Sequence, residues 1–160
     1  MGDLREWQWQ EGVLAAKVAK GKDAEGAKFS DYFAFNQKIK DLPSHRALAL
    51  LRGFHEDILT LELDVPHDAN AMHPAEGKIR LAFGIADRGR PADAWLLETV
   101  RLAWRSRLAA SLQTDLMGRL KERADGEAIQ VFAKNLKDLL LAAPAGARVT
   151  MGLDPGFAPG

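Results

Sequence analysis

An apolar residue recurs at every fourth position between residues 96 and 120, and this spacing constrains the fold more than any other feature. The positions are Leu96, Val100, Trp104, Leu108, Leu112, Leu116 and Leu120. The pattern indicates helix, but a strict spacing of four drifts around a straight helix. We therefore expect the stripe to wrap or the helix to break near Ser106 to Ser111. Glycines at 118 and 126 favour two or three helices over one rod between Pro91 and Ala143.

A second well-specified packing unit lies between Lys28 and Gly53. Its first half carries four aromatic residues that we expect in the core: Phe29, Tyr32, Phe33 and Phe35. A short helix is expected across Asn36 to Asp41. The second half predicts a helix with Ser44 as its N-cap and Gly53 as its left-handed stop.

The remaining patterns complete a prediction of fold class. Leu4 to about Lys20 is predicted as a helix, and Pro74 as the start of another, which Gly84 ends. Alternation of apolar and polar residues predicts a half-buried strand across residues 58–65, and residues 148–153 are a candidate second strand. The chain is thus predicted to be mainly α, a multi-helix domain with one or two short strands.

Composition excludes several classes of protein. The 22 Lys and Arg residues balance 22 Asp and Glu residues, so the charge does not indicate a strongly basic nucleic-acid binder. There is no cysteine, hence neither a disulfide nor a thiolate metal site. No apolar run has the length of a membrane span and no signal-peptide core is present. The prediction is a cytoplasmic protein without a membrane partner.

Histidines and a carboxylate near residue 70 are candidate metal ligands by residue type. His67, Asp68 and His73 are separated by one and six positions, which match no helical face and no tight zinc signature. A polar connection is the favoured interpretation. Because no acid–base pair with a pocket is indicated either, we predict no catalytic residue, no metal and no cofactor.

Three stretches resemble one known family. They are KFSDYF with PSHRALALLRG between Lys28 and Gly53, GRPADAWLLETVRLAWR at Gly89–Arg105, and FAKNLKDLLLAAPAGARVTMGLDPG at Phe132–Gly156. The amino-acid sequences of these stretches and their order along the chain resemble the central helical region of bacterial Tex-type transcription accessory proteins. The resemblance implies that residues 1–146 are that region. It implies that residues 147–160 are the truncated first strand and turn of an RNase H-like (YqgF-type) domain.

Asp154 is the one residue for which this resemblance implies chemistry. In active nucleases of the RNase H-like superfamily, an Asp on this strand holds Mg²⁺ together with other carboxylates. One carboxylate cannot do so, and Ala158 and Pro159 depart from the family's continuation of the turn. Asp154 would be a metal ligand only in a complete domain, so the chain is predicted not to be an enzyme.

Basic residues provide the tentative nucleic-acid contacts, because Lys and Arg bind phosphates without regard to sequence. The six candidates are Lys38, Lys40, Arg46, Arg52, Arg101 and Arg105. The long helices carry basic pairs, Arg101 with Arg105 and Arg119 with Arg123. For these pairs, interleaved acids such as Glu98 favour a solvated, ion-paired helix face over phosphate contact. Trp95 and Trp104 are predicted as core residues rather than base-stacking platforms.

The resemblance implies a fragment of a nucleic-acid-binding transcription accessory protein, acting as a helical scaffold between domains that bind RNA or DNA. Its partners would be nucleic acid, bound through the full-length protein, neighbouring domains of the same chain and the transcription machinery. Two alternatives stay open. One is a helical protein-interaction module without nucleic-acid contact, and the other is the remnant of a metal-dependent RNase H-like nuclease.

Overall fold

The computed structural model describes residues 2–22, 24–68, 70–144 and 146–153, most of which are helical. The α-helices are α1 (Gly2–Glu11), α2 (Ser44–His55), α3 (Pro74–Ala82), α4 (Asp93–Ala103) and α5 (Ala109–Leu140). The strands are β1 (Val13–Val18), β2 (Ala34–Lys38) and β3 (Leu59–Asp64). Two 3₁₀ segments, Ala27–Tyr32 and Ile39–Asp41, and one π segment, Trp104–Leu108, complete the regular structure. The chain divides into two units, Met1–Ala128 and Ile129–Gly160.

The three strands form one antiparallel sheet in the order β2-β1-β3. Leu14 of the central strand stands opposite Gln37 on one side and Leu63 on the other. Burial alternates along β3, which confirms the half-buried strand predicted there. The side chain of Gln113 on α5 bonds to two backbone groups at the outer edge of β3, the Leu63 N–H and the Leu61 carbonyl. Part of that edge is therefore satisfied by a side chain and not by another strand.

The predicted helix from Leu4 to Lys20 is wrong in its second half. It ends at Glu11, and the chain continues as β1. Gly12 allows the change of direction, because a Cβ there would lie 2.4 Å from the Gln8 carbonyl oxygen. Residues 13–18 contain good helix formers, and pairing with two neighbouring strands overrides that local preference.

Two further predictions of local structure fail for the same reason. The short helix expected across Asn36 to Asp41 is the end of β2 followed by the 3₁₀ turn Ile39–Asp41. The second strand expected at residues 148–153 is absent, and those residues have no regular structure. A strand needs a partner for its backbone groups, and the sheet finds its other members at β1 and β2 instead.

The helix α2 is confirmed, but its ends differ from the prediction. Pro43 occupies the N-cap position and Ser44 is the first helical residue, with its hydroxyl donating to the Glu127 carboxylate on α5. Gly53 lies buried inside the helix, and the left-handed residue is Asp57 (φ 55°). Gly53 is required for space, because a Cβ there would lie 2.6 Å from Leu59 Cδ1.

The long apolar stripe runs through α4, the π segment and α5. A spacing of four drifts by about 40° per step on an α-helix of 3.6 residues per turn. The wider π turn at Trp104–Leu108 reverses this drift, which confirms a break close to the predicted position. Two α-helices, α4 and α5, are present, as expected, but no further joint lies at Gly126, since α5 continues through Gly118 and Gly126 and neither has a neighbour that a Cβ would meet.

Two apolar clusters of the first unit bury this stripe. In the larger cluster, Leu116 and Leu120 pack with residues of the sheet and of α2. In the smaller one, Trp104 and Leu112 pack with Leu4 and Ala75. The described helices include none with both the length and the apolarity needed to cross a bilayer.

Candidate functional site

Three of the six candidate phosphate contacts share one neighbourhood near the end of β2. The Lys38 ammonium lies 3.1 Å from the Glu11 carboxylate, and the Lys40 ammonium donates to the side-chain carbonyl of Gln10 at 3.3 Å. The Arg46 guanidinium reaches the side chain of Gln37, the residue before Lys38, at 3.5 Å. All these contacts are exposed at the surface. All three residues therefore have a contact near the end of β2, but Gln37 and Lys38 point to opposite faces of the strand, so the contact of Arg46 lies on the other face from that of Lys38.

The other three candidates lie elsewhere. Arg52 is six residues from Arg46 on α2, a rotation of about 120° from it around the helix. It pairs with Glu56 at 2.8 Å, and Lys28 pairs with the same carboxylate at 2.6 Å. Hydrogen bonds from Lys28 and then Arg52 lower the pKa of Glu56. Lys28 and Arg52 thus share a single carboxylate, which offsets one of their two positive charges.

Arg101 and Arg105 lie on the α4 side of the chain. Arg101 pairs with Glu98 at 3.1 Å, as the interleaved charges predict. Arg105 is exposed in the π segment and has no ionic partner among the described residues. The six candidates therefore do not converge on one surface. Lys38 and Lys40 are the two candidates whose described partners, Glu11 and Gln10, are neighbours in α1.

Two further arginines, Arg119 and Arg123, serve the fold. Their guanidinium groups lie 4.1 and 5.3 Å from the centre of the Trp9 ring. Arg119 also pairs with Glu6 at 2.8 Å. Such stacked and paired arginines stabilise packing and leave little charge for a ligand.

The two tryptophans predicted as core residues differ from each other. Trp104 is 5% exposed, as predicted, whereas Trp95 is 68% exposed, so the prediction is wrong for that residue. Trp95 lies in the first turns of α4, on the same face as Leu102 seven residues later, which is also exposed. Because the stripe follows positions 96, 100 and 104, Trp95 falls outside the buried face.

A buried carboxylate organises the turn before α4. Asp93 is 1% exposed and receives two hydrogen bonds from the Arg90 guanidinium, at 2.7 and 3.0 Å. It also accepts the backbone N–H groups of Arg88 and Arg90. These bonds lower the pKa of Asp93 to about 2. The side-chain bonds from Arg90 are the main cause, and the two backbone bonds come next. The arrangement fixes the start of α4, as carboxylates at helix N-termini do.

A cluster of one carboxylate and two imidazoles lies at the end of β3. Asp64, His67 and His73 can each offer a ligand atom, and these atoms lie within 4.8 Å of one another. The His73 Nε2 atom is 2.8 Å from one Asp64 oxygen, and the His67 Nδ1 atom is 3.7 Å from the other. The two rings are 4.5 Å apart, and His73 stacks on Trp104 with ring centres 4.7 Å apart.

This cluster differs from the set His67, Asp68 and His73 that residue types alone suggest. Asp68 takes no part in it and instead accepts the Asn70 N–H, which forms a local turn. The missed member is Asp64, the last residue of β3. The alternation of apolar and polar residues that predicts β3 also contains a signal for Asp64. The pattern assigns this carboxylate to the exposed face of the sheet, three residues before His67.

Hydrogen bonds identify one nitrogen that carries hydrogen on each ring. The Nδ1 atom of His73 accepts the Ala75 N–H at 3.1 Å and so caps α3, which leaves Nε2 to donate to Asp64. The Nδ1 atom of His67 donates to the Val65 carbonyl at 2.8 Å. Asp154, the residue tied to nuclease chemistry by resemblance, lies outside the described residues.

Comparison with known proteins gives a consistent result over the whole chain. Residues 1–132 match the family described as "Tex central region-like". The "Transcriptional accessory protein Tex" of Neisseria gonorrhoeae is 46% identical over 160 residues, covering 98% of this chain and 21% of that protein. The "Protein tex" of Bordetella pertussis is 43% identical over 167 residues, covering 100% and 21%.

A more distant similarity extends to an animal protein. The human "S1 RNA-binding domain-containing protein 1" is 27% identical over 151 residues, covering 90% of this chain and 14% of that protein. The chain thus spans about a fifth of the length of the bacterial relatives it matches.

Proposed function

The chain belongs to the Tex central region-like family, and on that premise we propose that it is a helical scaffold within a nucleic-acid-binding transcription accessory protein. The proposal assigns it no enzymatic reaction and a place in the cytoplasm. Residues 1–146 form the scaffold in this proposal, and residues 147–160 lead into an RNase H-like domain. The family match over residues 1–132 is the observation that carries the proposal.

The packing of the first unit supports a mechanical role. A continuous apolar ridge on α5 holds the sheet and α2 in one cluster, while the π segment and α3 share a second cluster. A rigid body of this kind keeps attached domains at a fixed distance and orientation. A cavity of about 430 Å³ beside Leu4 and Phe83 is lined mainly by apolar side chains, which suits packing better than chemistry.

Exposed apolar side chains support contact with other parts of a longer protein. Leu81, Phe83, Trp95 and Leu102 are each at least 63% exposed in the first unit. Clusters of such residues mark interaction surfaces more often than free surface. We assign these residues to packing against neighbouring domains of the same protein, because the bacterial relatives are about five times as long as this chain.

The nucleic-acid part of the proposal assigns phosphate contact to Lys38, Lys40 and Arg46. Lys38 and Arg46 are exposed and Lys40 is half-buried, and their partners in the fold are two neutral amides and one carboxylate. A phosphate can therefore replace the weak contacts to Gln10 and Gln37 without leaving a buried charge. The relatives' names, which include an S1 RNA-binding domain protein, support nucleic acid as the ligand class.

A titration of fluorescently labelled single-stranded RNA and DNA against the chain tests this assignment. We expect weak binding in the non-specific range, with a Kd on the order of 10⁻⁴ to 10⁻⁶ M at physiological salt. The logarithm of the binding constant should fall linearly with the logarithm of salt concentration. Substitution of Lys38, Lys40 and Arg46 by Gln should reduce both the affinity and the salt slope.

The matched control replaces Lys17, Lys20 and Lys22 by Gln, which removes the same charge from another exposed part of the chain. Equal losses in the two triple variants would assign the binding to net charge alone and remove the phosphate site. Absence of binding at low salt would remove nucleic-acid contact from this chain. The interaction module without nucleic-acid contact would then be the better description, with the scaffold role intact.

A further inference from the structure

We propose that Asp64, His67 and His73 form a binding site for a divalent transition-metal ion of the zinc type. The three side chains come from the end of β3, the following connection and the N-cap of α3, and they meet beside Trp104. Nothing in the scaffold role requires these groups to converge. The site does not depend on the proposed function, because it rests on side chains that take no part in it.

The ligand types select the class of ion. Two imidazoles with one carboxylate suit zinc, copper, nickel, cobalt and ferrous iron, whereas calcium and magnesium prefer oxygen ligands throughout. Three protein ligands leave the remaining positions to water, as in sites that stay open to solvent. The ligand atoms lie within 4.8 Å of one another, so modest side-chain rotation brings them around one ion.

The surroundings favour a cation and give it access. The side chain of Asp64 is 46% exposed, so an ion reaches it directly from solvent. A shallow cleft of about 270 Å³ adjoins it, and its lining includes a second carboxylate, Glu62, and His67 but no Lys or Arg among the described residues. A cleft lined by charge of one sign raises the local concentration of the opposite ion.

Binding would be coupled to the start of α3. An imidazole that coordinates through Nε2 carries its proton on Nδ1, whereas His73 Nδ1 now accepts the Ala75 N–H. Coordination by His73 would therefore remove this capping bond. His67 would either coordinate through Nε2 and keep its bond from Nδ1 to the Val65 carbonyl, or coordinate through Nδ1 and lose that bond. The site thus exchanges a hydrogen-bonded network for coordination bonds, and occupation changes the helix end.

The experiment uses Zn²⁺ and Co²⁺ as chloride salts with the whole chain. Isothermal titration calorimetry should detect one ion per chain. Bound Co²⁺ should produce a visible absorption band with the intensity typical of an ion of low coordination number. Asp64→Asn and His67→Gln should each weaken binding by at least about tenfold, since even outer-shell partners of metal sites contribute 10–100-fold. Circular dichroism confirms that each variant keeps its helices.

Two control variants keep the charge and imidazole count matched. Asp68→Asn removes a carboxylate and His45→Gln an imidazole that lie outside the cluster, and both should leave binding unchanged. Loss of binding in either control equal to that in Asp64→Asn or His67→Gln would overturn the site. So would absence of binding to the unsubstituted chain, or binding that persists in both cluster variants.

Nuclear magnetic resonance tests the coupling separately. On addition of Zn²⁺, the Ala75 amide should shift and exchange faster with solvent, because its acceptor is withdrawn. The amide of Ala47, which donates to the Pro43 carbonyl at the start of α2, provides a reference that should not change. Binding without any change at Ala75 would show that His73 does not coordinate and would reduce the site to two ligands, which contradicts the proposal.

Discussion

Arg123 donates from α5 to the backbone carbonyl of Leu42 at 2.6 Å, across 81 residues of sequence. The same guanidinium donates to the carbonyl of Lys40 at 2.6 Å. Both acceptors lie at the end of the 3₁₀ turn Ile39–Asp41, where carbonyl groups have no partner within the helix. One arginine of the long helix therefore holds the turn that carries Lys40, a candidate phosphate contact.

Replacement of Arg123 by Met should destabilise the chain by about 1.5–3 kcal/mol, the range for hydrogen bonds to charged groups. The aliphatic length of the side chain is kept, so the loss reports the bonds to the carbonyls and the contact with Trp9. Urea unfolding followed by circular dichroism measures the difference. Arg107→Met, at an exposed position without a described partner, should change stability by less than about 0.5 kcal/mol. Equal effects at the two positions would contradict the assigned role.

Gly53→Ala should destabilise the chain although alanine is the better helix former. The added Cβ would lie 2.6 Å from Leu59 Cδ1 and 2.9 Å from its Cγ, and overpacking of this kind costs about 1–3 kcal/mol. The matched change Gly118→Ala meets nothing within 4 Å in α5 and should stabilise by roughly 0.5–1 kcal/mol. Thermal or urea unfolding of the two variants should therefore move in opposite directions. A stabilised Gly53→Ala variant would disprove the close packing of α2 on β3.

Leu116→Ala should cost about 2–5 kcal/mol, because the side chain is fully buried between α5 and the sheet cluster. Leu102→Ala removes the same atoms from an exposed position of α4 and should cost less than about 0.5 kcal/mol. Comparison of the urea midpoints tests whether the face of the helices that carries the stripe is the buried one. The reverse order of the two losses would mean that the stripe faces a different direction.

Asp93 should give the chain a stability that depends on pH in the acid range. Its pKa in the fold is about 2, below the ordinary value of 3.8, so its contribution is present above about pH 4 and is lost as the pH falls through about 2. The difference in free energy of unfolding between the unsubstituted chain and Asp93→Asn should accordingly shrink between pH 4 and pH 2. A difference that stays constant over this range would show that the charge of Asp93 is not what fixes the turn before α4.

Asp87→Asn provides the control for the acid series. Asp87 is exposed, and among the described residues its carboxylate accepts only the Gly89 N–H of the same turn. Its variant should follow the unsubstituted chain closely over the whole pH range. A parallel loss in Asp87→Asn would assign the acid sensitivity to the turn as a whole and not to the buried carboxylate.

The sequence determined those elements whose burial is periodic along the chain. The spacing of four specified the helices on either side of the π segment, and the alternation at Leu59–Asp64 specified β3, because both patterns follow directly from backbone geometry. The family could also be identified from short stretches of sequence, and the family match over residues 1–132 confirms that identification. For these features no knowledge of distant contacts was needed.

Only the tertiary structure decided the features that depend on a distant partner. Residues 13–18 have the composition of a helix, and they form β1 because two other strands satisfy their backbone groups. Two backbone groups at the edge of β3 bond to Gln113, about fifty residues later. The histidine cluster needs Asp64, which spacing along the chain did not connect with His73. Sequence patterns report which face of an element is apolar, whereas the energy of pairing and capping depends on groups that meet only after the chain has folded.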